Sequence, residues 1–131
     1  MATRYDHLDG ILHLVGGWKP GWDDEGTDWL NARLVTSLLN VSEAFEGMLR
    51  AAPAGRLAIV SSTVVTRDGP PSSAYAAAKL AAEAWVEQLN ARWSGTATGA
   101  VTYVVKAIDA SAAADALADV WDHAAGDRVL L

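Results

Sequence analysis

The sequence predicts an α/β protein in which a parallel sheet of about four strands lies between two layers of helices, as a three-layer fold. Short runs of apolar residues end in small residues at Gly16-Gly17 and Ser61-Ser62, and hydrophobic groups on both faces of such runs are typical of buried parallel strands. Helical patterns separate these runs along the chain, which favours parallel pairing. With 131 residues, we expect one domain over residues 1–131.

The composition excludes several classes of function. The sequence has no cysteine, so it can form neither disulfides nor thiolate metal sites, and this fits a reducing cytoplasm. Its three histidines have no metal-ligand spacing, so no metal site is expected. The net charge of −6 argues against nucleic acid or an anionic membrane as the main partner. Residues 1–9 are too polar for a signal peptide, and no apolar run is long enough to span a membrane.

The first predicted strand lies within residues 8–17, with its core at 10–15. Apolar residues on both of its faces predict a central position in the sheet, and we interpret His13 as a strand-end residue rather than a catalytic one. In the following loop, Lys19-Pro20-Gly21-Trp22 fits a type II turn with positive φ at the glycine. Trp18 and Trp22 flank this turn, where they either line a pocket or cover the end of the domain or a partner surface.

A long helix is predicted over residues 28–51, with Thr27 or Asp28 as its N-cap and a stop at Pro53-Ala54-Gly55. Its apolar stripe is wider than one contact with a sheet requires, which indicates a second packing partner. The stripe consists of Leu30, Leu34, Val35, Leu38, Leu39, Val41, Phe45, Met48 and Leu49.

The second strand and the helix that follows it carry the candidate chemistry. The strand, Leu57 to Val60, ends in Ser61-Ser62, and a helix over residues 73–93 begins at Ser72 or Ser73 after a proline-containing loop. Tyr75 and Lys79 are one helical turn apart and share a face, while Ser62 can point into the same space from the strand end. A phenol ordinarily has a pKa of about 10 and a nearby ammonium lowers it, so the three side chains predict acid/base chemistry on a carbonyl or alcohol.

The rest of the chain is predicted to form a strand over residues 100–105, a helix over 111–124 and a last strand over 128–131. We expect Leu117, Val120 and Trp121 to face inward from this helix.

Ser62, Tyr75 thirteen residues later and Lys79, with the proline-containing loop and the small residues Ala76-Ala77-Ala78, resemble the catalytic signature of the short-chain dehydrogenase/reductase family. This resemblance implies an NAD- or NADP-dependent oxidoreductase that acts on a small carbonyl or alcohol. Tyr75 would be the general acid/base, Lys79 would lower the pKa of Tyr75 and hold the nicotinamide ribose, and Ser62 would bind the substrate carbonyl. Gly16 and Gly17, with Tyr75 and Lys79, are the candidate cofactor-binding residues.

The sequence also departs from the family pattern. His13-Leu14-Val15-Gly16 stands where the family has an Asn-Asn-Ala-Gly type motif, and Leu34 stands at the place of a catalytic asparagine, with Asn31 or Asn40 as the match if the register is shifted. Residues 106–110 lead almost directly into the next helix, so the substrate lid of the family is missing or vestigial, and no Gly-x-x-x-Gly-x-Gly motif occurs.

These departures predict a Rossmann-like sheet that lacks the N-terminal dinucleotide-binding half, so that this chain alone binds NAD(P) weakly. The alternative prediction is a catalytically inactive, truncated remnant that serves as an oligomerisation or interaction module. In the family, dimers form through the helices that correspond to residues 28–51 and 73–93, and the edge of strand 10–15 offers another surface. We therefore expect a homo-oligomer.

Overall fold

The computed structural model describes residues 5–65, 68–106 and 110–131. Four strands are present in this part of the chain: β1 (Gly10–His13), β2 (Arg56–Ser62), β3 (Gly99–Val105) and β4 (Arg128–Leu130). The helices are α1 (Asp24–Asn31), α2 (Ser37–Ala51), α3 (Ala74–Arg92) and α4 (Ala110–Ala118), with a π-helical segment at Ala32–Thr36 and a short 3₁₀ turn at Val120–Asp122.

The four strands form one parallel sheet in the order β1-β2-β3-β4. Alternate residues of β2 point to opposite faces, as the pleat requires. On one face, Leu57 and Ile59 pack against α2 and α3, in a core cluster that includes Leu89 and Trp93. Ala58 packs on the other face against Leu117 and Val120. The predicted three-layer α/β architecture with about four parallel strands is therefore confirmed.

The long helix begins earlier than predicted and is interrupted. Asp23 rather than Thr27 or Asp28 is the N-cap, because its side chain accepts a hydrogen bond of 2.8 Å from the N–H of Gly26. The π-helical segment then joins α1 to α2, so what was predicted as one helix over 28–51 is a composite. Such wider turns are frequent at functional sites.

Helix α3 agrees closely with its prediction. Ser73 is its N-cap and accepts from the N–H of Ala76 at 3.1 Å, and its last residue is Arg92. The buried Ala74 and Ala78 let α3 approach Leu30 and Leu34 of the long helix closely. This contact fixes the first turn of α3, which carries Tyr75.

Three predictions about the first strand and the last helix are wrong. β1 stops at His13 rather than at residue 15, so Leu14 and Val15 lie beyond it and are exposed. Among the described residues β1 pairs only with β2, which agrees with the predicted strand edge and not with the central position that its apolar faces suggested. Trp121 does not face inward, since 45% of it is exposed and its Nε1 donates to the carbonyl of Asp9 at the surface. The predicted helix over 111–124 ends at Ala118 and continues as the 3₁₀ turn. The region predicted to lack a lid falls partly on residues 107–109, outside the described residues.

Two polar clusters, one of them buried, tie the layers together. Glu83 of α3 is 2% exposed, accepts from Ser61 Oγ at 2.6 Å, and forms an ion pair with Arg128 of β4 at 2.8 Å. Glu46 of α2 accepts from Trp93 Nε1 at 2.7 Å, which links α2 to α3. Among the described residues, no helix is both long and apolar enough to cross a membrane.

Candidate active site

A pocket of about 500 Å³ opens at the carboxyl ends of β1, β2 and β3. This is the edge at which open parallel sheets place their binding sites. Most of its lining is apolar, and its polar or aromatic lining residues include His13, Ser62, Tyr75, Lys79, Tyr103 and Lys106. Trp18 and Trp22 do not line the pocket, and more than half of each residue is exposed. The first predicted role, in which they line a pocket, is therefore wrong. The second, in which they cover the end of the domain or a partner surface, stays a prediction.

Ser62 and Tyr75 both line this pocket, and the Ser62 side chain is near enough to act on the pKa of the Tyr75 phenol. Ser62 is the last residue of β2 and is 9% exposed, and its Oγ also accepts from the backbone N–H of Val64 at 3.3 Å. Tyr75 is in the first turn of α3 and is half-buried. The strand end and the helix start thus place the two hydroxyl groups together, as the sequence predicted.

Lys79 lies one turn further along α3 and faces the same pocket. Its Nζ is 5.8 Å from the centre of the Tyr75 ring and donates to the carbonyl of Val60 at 2.8 Å. Lys79 is 9% exposed, and this burial lowers its pKa, while the charge of Glu83 raises it by less. An ammonium group has three donors, so the bond to Val60 does not exhaust its capacity.

The pKa of Tyr75 is shifted in the opposite direction to the one that was predicted. Burial raises the pKa of Tyr75 above its ordinary value, and the interaction with the Ser62 side chain lowers it by a smaller amount. Lys79 is not among the causes that act on this pKa, so the lowering that was predicted from Lys79 is not observed. Tyr75 is therefore a protonated phenol at neutral pH and can donate a proton.

His13 is the last residue of β1, as predicted, and it also lines the pocket. It is 7% exposed, and its Nε2 lies 2.8 Å from the hydroxyl oxygen of Ser37, the first residue of α2. Burial is the main cause that lowers the pKa of His13, and the charge of Lys79 lowers it further. Its place at the carboxyl end of a strand, where pockets form, was a signal in the sequence.

The two candidate glycines have different surroundings. A Cβ added to Gly16 would meet nothing within 4 Å. Gly17 has φ +147°, and a Cβ there would lie 2.4 Å from the ring of Trp29, so contact with Trp29 already explains why residue 17 is a glycine.

The candidate asparagines do not line the pocket. Asn31 and Asn40 are exposed on the long helix, and Leu34 is buried between that helix and α3. Across residues 5–65, 68–106 and 110–131, no group of three His, Asp or Glu side chains is placed to hold a metal ion.

Comparisons with known proteins identify similar folds. No protein-family model and no curated protein matches the sequence. Among solved structures, enoyl-[acyl-carrier-protein] reductase (NADH) from Aquifex aeolicus is 18% identical with a TM-score of 0.80, over 97% of this chain and 61% of that one. Landomycin C-6 ketoreductase, solved with bound NADP and rabelomycin, is 16% identical with a TM-score of 0.79, over 95% of this chain and 60% of that one.

A short chain dehydrogenase from Salmonella enterica serovar Typhi is 23% identical with a TM-score of 0.71, over 78% of this chain and 44% of that one. The chain thus spans about three fifths or less of the length of these structures. The predicted resemblance is confirmed for the fold, because the chain has part of the Rossmann-like fold of short-chain dehydrogenases and reductases.

Proposed function

We propose that this chain is a member of the short-chain dehydrogenase/reductase family and carries the catalytic part of an NAD(P)-dependent oxidoreductase that acts on a small carbonyl or alcohol. The observation that carries the proposal is that Ser62, Tyr75 and the buried Lys79 line one pocket at the carboxyl ends of the strands. Residues 1–131 would act as one domain. The absence of cysteine supports a cytoplasmic setting.

In the proposed reaction, Ser62 and Tyr75 bind the carbonyl oxygen and Tyr75 gives it a proton. Burial raises the pKa of Tyr75, so the phenol carries the proton that reduction of a carbonyl requires. Lys79 faces the same pocket, and its bond to the carbonyl of Val60 uses one of its three donors, so the ammonium group can also bind a substrate or cofactor oxygen. The apolar walls of the pocket exclude water from this transfer and suit a substrate that is mostly hydrocarbon around its carbonyl group.

The residues present fit one end of the nicotinamide cofactor, which when bound would supply the hydride. Tyr75 and Lys79 offer a hydroxyl group and an ammonium group to a ribose, and the exposed backbone at Gly16 leaves space beside them. The sequence contains no glycine-rich turn for a pyrophosphate. A few hydrogen bonds of about 1 kcal/mol each do not offset the entropy lost on association, so this chain alone should bind NAD(P)H in the millimolar range or not detectably.

The proposal is tested by mixing the purified chain with millimolar NADH or NADPH and a panel of aliphatic and aromatic aldehydes and ketones, and following oxidation of the cofactor. Tyr75→Phe should slow turnover on the order of 10²-fold or more. Tyr5→Phe is the matched control, since Tyr5 is 66% exposed and does not line the pocket. Equal rates for wild type and Tyr75→Phe would contradict the proposal. Calorimetric titration with each cofactor tests the weak affinity, which a low micromolar dissociation constant would contradict.

A second candidate function is an inactive module for self-association or interaction. It is supported by the exposed Leu12, Leu14, Trp18 and Trp22 around the outer edge of β1, because such apolar groups beside an unpaired strand edge favour pairing. The helices over 28–51 and 73–93 offer the other surface, where Val41 and Phe45 remain half-exposed. Sedimentation that shows a dimer together with absence of turnover would favour this function, whereas a clean monomer at micromolar concentration would contradict it.

A further inference from the structure

Two lysines line the pocket, and none of its described lining residues is acidic. The sequence contains 16 acidic and 10 basic residues and has a net charge of −6. Lys79 and Lys106 nonetheless both line the pocket, whereas no Asp or Glu does so in the described part of the chain. Asp115, beside the lining residue Ala114 on α4, is exposed and lies outside the pocket. The pocket is therefore positive in a molecule that is negative overall, and a cleft of one sign of charge attracts ligands of the other.

Lys106 lies where the pocket meets the end of β3. It follows Val105, the last residue of β3, which is next to Ser62 in the register of the sheet. The carbonyl of Val105 also accepts from the N–H of Thr63 at 3.1 Å, so the pairing of β2 with β3 continues to this point. With a strand spacing of about 4.8 Å and a rise of about 3.3 Å per residue, the Cα atoms of Ser62 and Lys106 are about 6 Å apart.

The ammonium group of Lys106 is available to a ligand. The residue is exposed, and within residues 5–65, 68–106 and 110–131 its side chain forms no hydrogen bond or ion pair. Lys79 differs, because it is buried and already donates to the carbonyl of Val60. A lysine ammonium is a compact charge on a flexible four-carbon stem, so Lys106 can reach a group bound beside Ser62.

The order of the strands separates Lys106 from the candidate cofactor-binding glycines. In the order β1-β2-β3, Ser62 at the end of β2 lies between the residues that follow β1 and the residue that follows β3. Gly16 and Gly17 are on the β1 side of the pocket, and Lys106 is on the β3 side. A carbonyl group held at Ser62 would therefore have the glycines on one side and the Lys106 ammonium on the other. This arrangement gives Lys106 to the substrate rather than to the cofactor.

We propose that the substrate is an oxo acid, whose carboxylate binds Lys106 while its carbonyl oxygen binds Ser62 and Tyr75. This assignment rests on the proposed oxidoreductase function. A single ammonium balances the one charge of a carboxylate, whereas a phosphate group carries up to two. The apolar walls at Ala113 and Leu117 would enclose the hydrocarbon between the two polar ends.

The assignment leaves the reaction balanced. The carbonyl carbon of the oxo acid receives the hydride that the cofactor supplies, and its oxygen receives the proton of Tyr75. The carbonyl double bond becomes a single bond, so the product is a hydroxy acid whose carboxylate is unchanged. Tyr75 regains its proton from water between turnovers. Lys106 takes no part in the transfer and is a specificity-determining residue.

Levulinate and levulinamide test this role, because they share one carbonyl and differ in the charge at the other end. With millimolar NADH or NADPH, the wild type should have a kcat/KM for levulinate about 3- to 5-fold above that for levulinamide, the factor of one exposed ion pair. Lys106→Gln should remove this preference and Lys106→Glu should reverse it. Both changes should appear in KM rather than kcat, since the carboxylate contact is the same before and during the transfer. Added salt should reduce the preference of the wild type.

Lys19→Gln is the matched control, because Lys19 lies over the ring of Trp29 and does not line the pocket. It should leave the preference for levulinate unchanged. Lys106 is exposed, so its substitution should leave the melting temperature nearly unchanged. The same preference in Lys106→Gln as in the wild type would overturn the oxo acid assignment. A changed KM for NADH or NADPH in place of levulinate would also overturn it, because Lys106 would then bind the cofactor.

Two further measurements distinguish failure of this assignment from failure of the proposed function. Reduction of uncharged aldehydes and ketones by the wild type, without reduction of levulinate, would overturn the oxo acid and leave the oxidoreductase standing. Nuclear magnetic resonance requires no turnover, and the side-chain shifts of Lys106 should respond in a saturable way to levulinate but not to levulinamide. If the wild type reduces no carbonyl compound, the proposed function fails and the oxo acid is not a substrate, even where those shifts show that a carboxylate binds.

Discussion

A glycine at position 17 can be required by its contact with Trp29 or by close approach of a ligand, and substitution by alanine distinguishes these two reasons. The residue has φ +147°, which L residues rarely adopt, and an added Cβ would lie 2.4 and 2.9 Å from two ring atoms of Trp29. The backbone strain costs about 1–3 kcal/mol. Displacing the ring also disturbs its contacts with Lys19 and Arg33, at 5.0 and 4.4 Å, each worth about 0.5–1 kcal/mol. We therefore expect Gly17→Ala to lower the free energy of unfolding by about 2–5 kcal/mol.

Chemical denaturation of four variants measures this effect. Gly16→Ala is the control and should change stability by less than about 0.5 kcal/mol, because nothing lies within 4 Å of its added Cβ. In the background Trp29→Ala, Gly17→Ala should cost about 1 kcal/mol less than in the wild type, since the clash is gone and only the backbone strain remains. If Gly17→Ala is as stable as Gly16→Ala, the steric reasoning is refuted and close approach by a ligand remains the reason for the glycine.

Three further predictions concern single side chains. Tyr75→Phe should leave the fold intact, with a drop in melting temperature of no more than several degrees, because its loss of about 1 kcal/mol comes from the one interaction with Ser62. Glu83→Gln should cost about 2–3 kcal/mol by chemical denaturation, since it removes a 2% exposed charge from Ser61 and Arg128, whereas the exposed Glu43→Gln should change less than about 0.5 kcal/mol. The folded-state pKa of His13 is lowered below 6.5. Its neutral form therefore contributes stability above pH 6.5, and this stability is lost as the pH falls through the folded pKa. His13→Asn should weaken this loss of stability at acid pH, and an unchanged dependence of the free energy of unfolding on pH would contradict the prediction.

The elements that were correctly predicted are those whose reasons are local in the sequence. The serine at Ser73 before the alanine run marks the start of α3, and the spacing of Tyr75 and Lys79 fixes their common face on any helix. The run Leu57 to Val60 has no polar residue, so only a strand buried on both faces suits it. The position of Ser62 in the pocket follows from its place at the carboxyl end of that strand.

The features that were missed depend on contacts between distant parts of the chain. Asp23 caps α1, and the buried Gly26 lies beside its side chain. Spacing in the sequence alone did not favour Asp23 over Thr27 or Asp28 as the N-cap. The link from His13 to Ser37 joins residues 24 apart through a π-helical turn. The raised pKa of Tyr75 follows from its burial, which cannot be derived from a four-residue spacing.

The most direct test of the proposed function is the transfer of deuterium from NADH or NADPH labelled at the nicotinamide carbon that donates hydride. The chain would be incubated at millimolar cofactor with a reducible aldehyde, and the alcohol product analysed by mass spectrometry. We predict one deuterium per alcohol from the wild type and a yield on the order of 10²-fold lower from Tyr75→Phe. Unlabelled product, or equal labelled yields from the wild type and Tyr75→Phe, would contradict the role of Ser62, Tyr75 and Lys79 as a carbonyl-reducing site.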